Sequence, residues 1–176
     1  MARVHAIEGE GEVAERLRHR RGGQLTPLDR ALLHSPPLAD GWNTLLGAVR
    51  TQLSLAEDLR ELAILRVAAL NGAEYEWRAH EPVALRAGLS PAQVEALREG
   101  AGTEALTAVQ RACLAYTDAM TREVRVAEPL FTAVRAHLDE RELVELTATV
   151  GAYNLVSRFL VALQIGEPEP DEELTA

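Results

Sequence analysis

Leu59-Arg60-Glu61-Leu62-Ala63-Ile64-Leu65-Arg66-Val67-Ala68-Ala69-Leu70 runs directly into Asn71-Gly72-Ala73-Glu74-Tyr75-Glu76-Trp77-Arg78-Ala79-His80, and the reading of these two segments decides the fold. The first is nearly all apolar after Glu61, the pattern of a helix covered on most sides. Asn71-Gly72 ends it, because both residues tolerate a left-handed backbone. Ser54-Leu55-Ala56-Glu57 has the spacing of a capping box that opens it. Ala73 begins a second helix that closes near Gly88. The expectation is an antiparallel helix pair, Glu57–Leu70 and Ala73–Ala87.

Working outward, every other segment also reads as helix. Ser35-Pro36-Pro37 marks a turn, and Leu38 to Val49 places Leu38, Trp42, Leu45, Leu46 and Val49 on one side. Ser90-Pro91-Ala92-Gln93 starts a helix with proline at its first position, and Gly100-Ala101-Gly102 breaks it. Further helices are expected from Thr103 to Thr121, from Glu128 to Leu138, and from the acidic cap Asp139-Glu140-Arg141-Glu142 to Ile165. No segment carries a strand signal, a low-complexity block or an internal repeat. The fold class is all-α. Residues 1–34 read as a polar arm or short helix, 35–165 as the helical domain, and 166–176 as a loose acidic tail.

Composition narrows the function. The chain has 176 residues, 47% of them hydrophobic but only 4% aromatic, so one core of Ala, Leu and Val is expected. The net charge of −9 argues against nucleic acid as a partner. All 18 basic residues are Arg, so no lysine is present to form a Schiff base. Cys113 is the single cysteine, which excludes an intramolecular disulfide and a cysteine-based zinc site. Neither an N-terminal signal core nor a run of about 20 apolar residues is evident, so a cytoplasmic protein without a membrane span is expected.

Two ionisable groups break the pattern of the second helix. Its inward face is Ala73, Glu76, Trp77, His80, Val83, Ala84 and Ala87, while Glu74, Arg78, Glu81 and Arg86 lie on the other side. Glu76 and His80 are four apart and can meet, with Glu76 orienting the imidazole as an acid–base dyad. The bland alternative is a structural pair satisfied at a subunit contact. Glu61 breaks the preceding helix in the same way, as an acid or proton shuttle, or as an ion-pair partner of Arg66 or Arg158. In the last helix Asn154 and Arg158 are four apart, and Arg158 could hold a substrate anion. Tyr75 is a relay hydroxyl or an ordinary ring, and Trp77 is core or pocket wall. Glu61, Glu76 and His80 could also bind a divalent metal, although their spacing is no recognised metal motif.

The quoted run, together with Arg86-Ala87-Gly88-Leu89-Ser90 and Gly151-Ala152-Tyr153-Asn154-Leu155-Val156-Ser157-Arg158-Phe159-Leu160, resembles the carboxymuconolactone decarboxylase/alkylhydroperoxidase-like superfamily over roughly residues 35 to 165. The peroxidase branch of that superfamily uses a Glu, then Cys-x-x-Cys, then a His four residues on. Glu61 and His80 match the outer positions, but Ala73 and Glu76 stand at the two cysteines, with Tyr75 between them. Thiol peroxidase chemistry is therefore not implied. The resemblance that remains is to the cysteine-free branch with its Glu-Tyr-Glu-Trp pattern. It implies a homo-oligomer, trimer or hexamer, and a lyase or isomerase acting on a small carboxylated or carbonyl compound with no cofactor and no metal. In that reading His80, Glu76 and Glu61 are catalytic, and Tyr75, Trp77, Asn154 and Arg158 bind substrate. A non-catalytic small-molecule-binding or stress-response oligomer is the alternative.

Overall fold

The computed structural model describes residues 2–166. Within them the chain forms nine α-helices: α1 (Glu12–Arg20), α2 (Pro27–Leu32), α3 (Pro36–Thr51), α4 (Glu57–Asn71), α5 (Glu74–Arg86), α6 (Pro91–Glu99), α7 (Ala108–Glu123), α8 (Glu128–Arg135) and α9 (Glu140–Leu163). No strand occurs among the described residues, so the all-α expectation holds. The middle helix, α4, is buried without interruption from Leu59 to Ala68. Around it pack α9, α5, α7 and α6. A helix enclosed in this way gains from apolar residues on every side, which is why its sequence shows so little amphipathic contrast.

Local chemistry sets the helix ends. Gly72 adopts φ 65 and closes α4, so α5 turns back along it. Capping boxes open α2 (Thr26/Asp29), α6 (Ser90/Gln93), α7 (Thr107/Gln110) and α9 (Asp139/Glu142). The expected Ser54/Glu57 box does not form: α4 begins at Glu57 without a side-chain cap. Instead, Glu145 reaches over from α9, and its Oε2 accepts from Ser54 N (2.7 Å), Ser54 Oγ (3.0 Å) and Leu55 N (2.8 Å). A carboxylate that accepts several hydrogen bonds satisfies buried amides more strongly than a hydroxyl cap can. The helix expected from Thr103 starts later, because Thr103–Ala105 is a 3-10 turn and Thr107 is the cap.

Arg66 ties three helices together. From α4 it donates to both carboxylate oxygens of Asp118 on α7 (2.6 and 2.8 Å) and to the Leu97 carbonyl at the end of α6 (2.9 Å). Gly100, at φ 69, lies against this guanidinium; a Cβ there would stand 2.7 Å from one of its nitrogens.

Two further features differ from expectation. The segment from α1 through α2 is packed rather than peripheral, with Ala14, Leu17, Leu25, Leu28 and Leu32 buried in the common core. Helix α9 is long and apolar enough to cross a membrane by length and composition, with a mean hydropathy of 1.3 over its most apolar window. It carries the buried polar groups Glu145, Asn154 and Ser157 and packs along α4. Of the tail 166–176, all but Gly166 lies outside the described residues.

Candidate active site

A cavity of about 300 Å³ opens between α3, α5, α9 and the turn that joins α1 to α2. Its chemical end is lined by Tyr75, Glu76, His80 and Tyr153, and Leu28, Val83, Val156 and Leu160 line its apolar walls. Arg20, Arg21, Thr26 and Arg50 complete the lining, with Arg50 beside Tyr153.

His80 is held at both ring nitrogens. Nδ1 lies 2.8 Å from Glu61 Oε2, and Nε2 lies 3.2 Å from the Tyr153 hydroxyl. Glu61 is itself held by Arg60, whose Nε donates to its second oxygen at 3.2 Å. Arg50 Nε donates to the Tyr153 oxygen at 3.1 Å. Because Arg is a donor only, that oxygen is an acceptor there and the phenolic proton is free to point at His80 Nε2. In that arrangement Nε2 accepts from Tyr153 and Nδ1 donates to Glu61. The Tyr153 ring also meets the imidazole edge-on at 5.1 Å. Burial pushes the Tyr153 phenol up to about 12, against an opposing effect of the Arg50 charge, so it stays protonated.

Glu76 sits apart from this relay. Its Oε1 accepts from Ser157 Oγ at 2.9 Å, and its Oε2 is buried with no hydrogen-bond partner. Burial pushes its carboxyl up to about 8; the Ser157 hydrogen bond and the Arg50 charge only partly offset that. At neutral pH Glu76 is therefore a protonated acid facing the cavity.

The geometry thus exchanges two expected roles. Glu61 from α4, not Glu76, orients His80, because the close packing of α4 on α5 brings the two within hydrogen-bonding distance. Glu61 does not line the cavity and serves as a positioning residue. Glu76 shares the cavity with His80 but turns to Ser157, so the helical i,i+4 dyad does not form. For the same reason Glu61, Glu76 and His80 do not gather into a metal-ligand cluster among the described residues.

The four expected substrate-binding residues divide. Tyr75 lines the cavity. Trp77 is buried away from it: its indole nitrogen donates to Glu81 at 3.3 Å, and Arg98 stacks on its ring at 4.1 Å. Asn154 is a structural bracket. Its amide donates to Thr121 Oγ1 and to the Val150 carbonyl, both at 3.0 Å, and its oxygen accepts from Asn71. Arg158 is exposed, because the face of α9 that carries Ser157 inward turns the next residue out. The cations that do reach the cavity are Arg20, Arg21 and Arg50. Sequence reasoning missed these, as it missed Tyr153. The usable signal for Tyr153 was a phenol inside an otherwise apolar helix, since a buried Tyr hydroxyl needs a partner.

Comparison with known proteins bears on the fold. The Carboxymuconolactone decarboxylase family pattern matches residues 36–119. A peroxidase-related protein with an alkylhydroperoxidase AhpD core from Ralstonia eutropha JMP134 superposes with a TM-score of 0.82 at 17% identity, covering 97% of this chain and 93% of that one. A protein of unknown function from Agrobacterium tumefaciens gives 0.71 at 25% identity, covering 77% and 94%. The debrominase Bmp8, in a complex with 2,3,4-tribromopyrrole, gives 0.71 at 18% identity, covering 90% and 86%. No curated protein matches the chain by sequence. The fold is that of the AhpD-like helical proteins. The chain is similar to the carboxymuconolactone decarboxylase family over residues 36–119 and shares the AhpD-like fold.

Proposed function

We propose that the protein is a cofactor-independent lyase or isomerase that performs acid–base chemistry on a small carbonyl or carboxylated compound. The observation that carries this reading is the pairing, in one cavity, of an imidazole fixed at both nitrogens with a carboxyl that burial keeps protonated. A concerted acid–base step requires a proton acceptor and a proton donor in reach of one compound, and the imidazole and the buried carboxyl supply the two. His80 Nε2, released from Tyr153 by the incoming compound, removes a proton from carbon next to a carbonyl. The Glu61 carboxylate stabilises the resulting imidazolium through Nδ1–H. Glu76 passes its proton to the oxygen on which negative charge develops. Return of the His80 proton at another carbon, with Glu76 taking back the proton on oxygen, completes an isomerisation; in a lyase reaction the bond to a carboxylate breaks instead of the C–H bond, its electron pair forms the enol that Glu76 protonates, CO2 leaves, and a proton is then delivered to that carbon.

The cavity lies at the lower end of ligand-site volumes, which suits a small metabolite. The small ring compound bound by Bmp8 is consistent with this scale. We further propose that the chain works as a homo-oligomer, trimer or hexamer, because Leu38, Leu45, Leu155 and Val161 are large apolar side chains left exposed. The deciding experiment is His80→Gln. With a turned-over compound in hand, the variant is expected to keep its fold and lose activity by about two to four orders of magnitude. Activity equal to the parent would remove the catalytic reading and leave a small-molecule-binding protein.

A further inference from the structure

Three arginines share the cavity lining with His80 and Glu76, and the proposed proton transfers draw on only one of them, through the Arg50 hydrogen bond to Tyr153. Arg20 ends α1, Arg21 follows it, and Arg50 lies in the last turn of α3; all three line the cavity. Against these three positive charges stands one carboxylate. Asp29 pairs with Arg21 (3.0 Å) and more loosely with Arg20 (3.7 Å). Arg50 makes its one hydrogen bond, through Nε, to Tyr153, and its two terminal nitrogens meet no acid among the described residues. Glu76 adds no compensating charge while protonated. Burial and the charges of Arg21 and Arg50 work against the charged form of Arg20, so the fold holds this cluster at a cost.

A second hollow adjoins the first and shares Arg20, Arg21 and Arg50 with it. Trp42 and Asn43 line this hollow, and the Trp42 indole nitrogen and the Asn43 side-chain oxygen are both buried without partners. That hollow, of about 10 Å³, has room for no more than a water, so an anion could reach these guanidiniums only from the larger cavity.

We propose that Arg50 and Arg20, supported by Arg21, form the seat for an anionic group of the substrate, a carboxylate or a phosphate, and so decide which compounds the cavity accepts. The inference rests on the acid–base reading of the same cavity and adds its substrate class: an organic anion whose charged end lies at the arginines and whose reacting carbon lies at His80 and Glu76. Arg50 is the link between the two ends. Its Nε positions the Tyr153 hydroxyl, while its outer nitrogens are free to hold two oxygens in the fork geometry of guanidinium. An anion seated there also screens the Arg50 charge from Glu76. That charge is one of the two influences favouring ionised Glu76, so a bound anion favours the protonated acid that the reaction needs. Arg20 and Arg21 come from the segment before residue 36, outside the region that the family pattern matches.

The test is calorimetric titration of the full chain with benzoate, phenyl phosphate and the neutral benzamide. Benzoate or phenyl phosphate is expected to bind at least about tenfold more tightly than benzamide, and the stronger of the two identifies the oxygen group. Arg50→Gln is expected to weaken anion binding by at least about tenfold, Arg20→Gln to weaken it less, and Arg158→Gln, on the outer surface, to leave it unchanged. Circular dichroism establishes that each variant is folded, and Arg20→Gln decides the matter if Arg50→Gln is not. Benzamide binding as tightly as the anions, unchanged affinity in both arginine variants, or no anion binding at millimolar concentration would each overturn the proposal. His80→Gln separates the two readings. If it retains anion binding but also retains turnover, the chemistry falls and the seat stands; if it loses turnover while the arginine variants bind anions normally, the reverse holds.

Discussion

Glu76→Gln replaces a buried acid by a neutral side chain of the same shape, and the structure states what that should do at each pH. Glu76 is 2% exposed, and burial lifts its carboxyl from 4.5 to about 8. Between these values the folded chain binds a proton that the unfolded chain has released. Stability therefore falls as pH rises, by about 1.4 kcal/mol for each unit, and levels off once the folded carboxyl also ionises above about 8. From pH 6 to pH 8 the wild type should lose about 2 kcal/mol relative to the variant, an upper figure because water entering the cavity would soften it. Below pH 5 the two should differ little, since Gln still accepts from Ser157. Urea unfolding at pH 5, 6, 7, 8 and 9 measures this directly, and subtracting the variant's profile removes the histidines and the other acids. Infrared spectroscopy supplies a second reading: a protonated-carboxyl band present at pH 7, fading above 8 and absent from the variant. Parallel stability profiles would refute the buried, protonated acid and with it the proton donor of the mechanism.

Other perturbations follow from single contacts. Glu145→Ala strips the acceptor from Ser54 N and Leu55 N and should cost about 2–3 kcal/mol in denaturant unfolding, whereas Glu145→Gln should cost less. Gly100→Ala combines a left-handed φ with a Cβ pressed on Arg66, and a loss of about 1–2 kcal/mol should appear as a lowered Tm. Tyr153→Phe removes the hydroxyl between Arg50 and His80; turnover should fall by at least about tenfold with the fold intact, and unchanged turnover would detach Tyr153 from the relay. Cys113 is fully buried and its thiol is pushed up to about 12, so it should resist alkylation in the native chain at pH 8 and react on unfolding.

How much of this was legible in the sequence depended on whether a helix had a phase. In α5 polar and apolar residues alternate with a clear helical period, so the inward placement of Glu76 and His80 could be read directly, as could the turn at Gly72. In α9 apolar residues surround the axis, and such a pattern does not say which way its few polar side chains point. Tyr153, Asn154 and Ser157 face inward while Arg158 faces out, a distinction that only packing on α4 creates. The Glu61–His80 pair spans two helices, and Glu76 at the helical spacing from His80 was a plausible rival that local geometry alone could not remove. Arg20 and Arg21 lay in a charged stretch resembling a solvated arm. Its sparse leucines at 17, 25, 28 and 32 are the anchors that carry it onto the core.

The clasp that Glu145 makes on Ser54 and Leu55 has a bearing on ligand entry. It fastens the residues just after α3 to α9 a little over two turns before Tyr153, so the helix bearing Arg50 and the helix bearing Tyr153 are stapled beside the cavity. Moving that wall to admit a bulkier guest would require breaking these hydrogen bonds. Discrimination should therefore work by exclusion, and compounds that fit should associate with little entropy lost to ordering the protein.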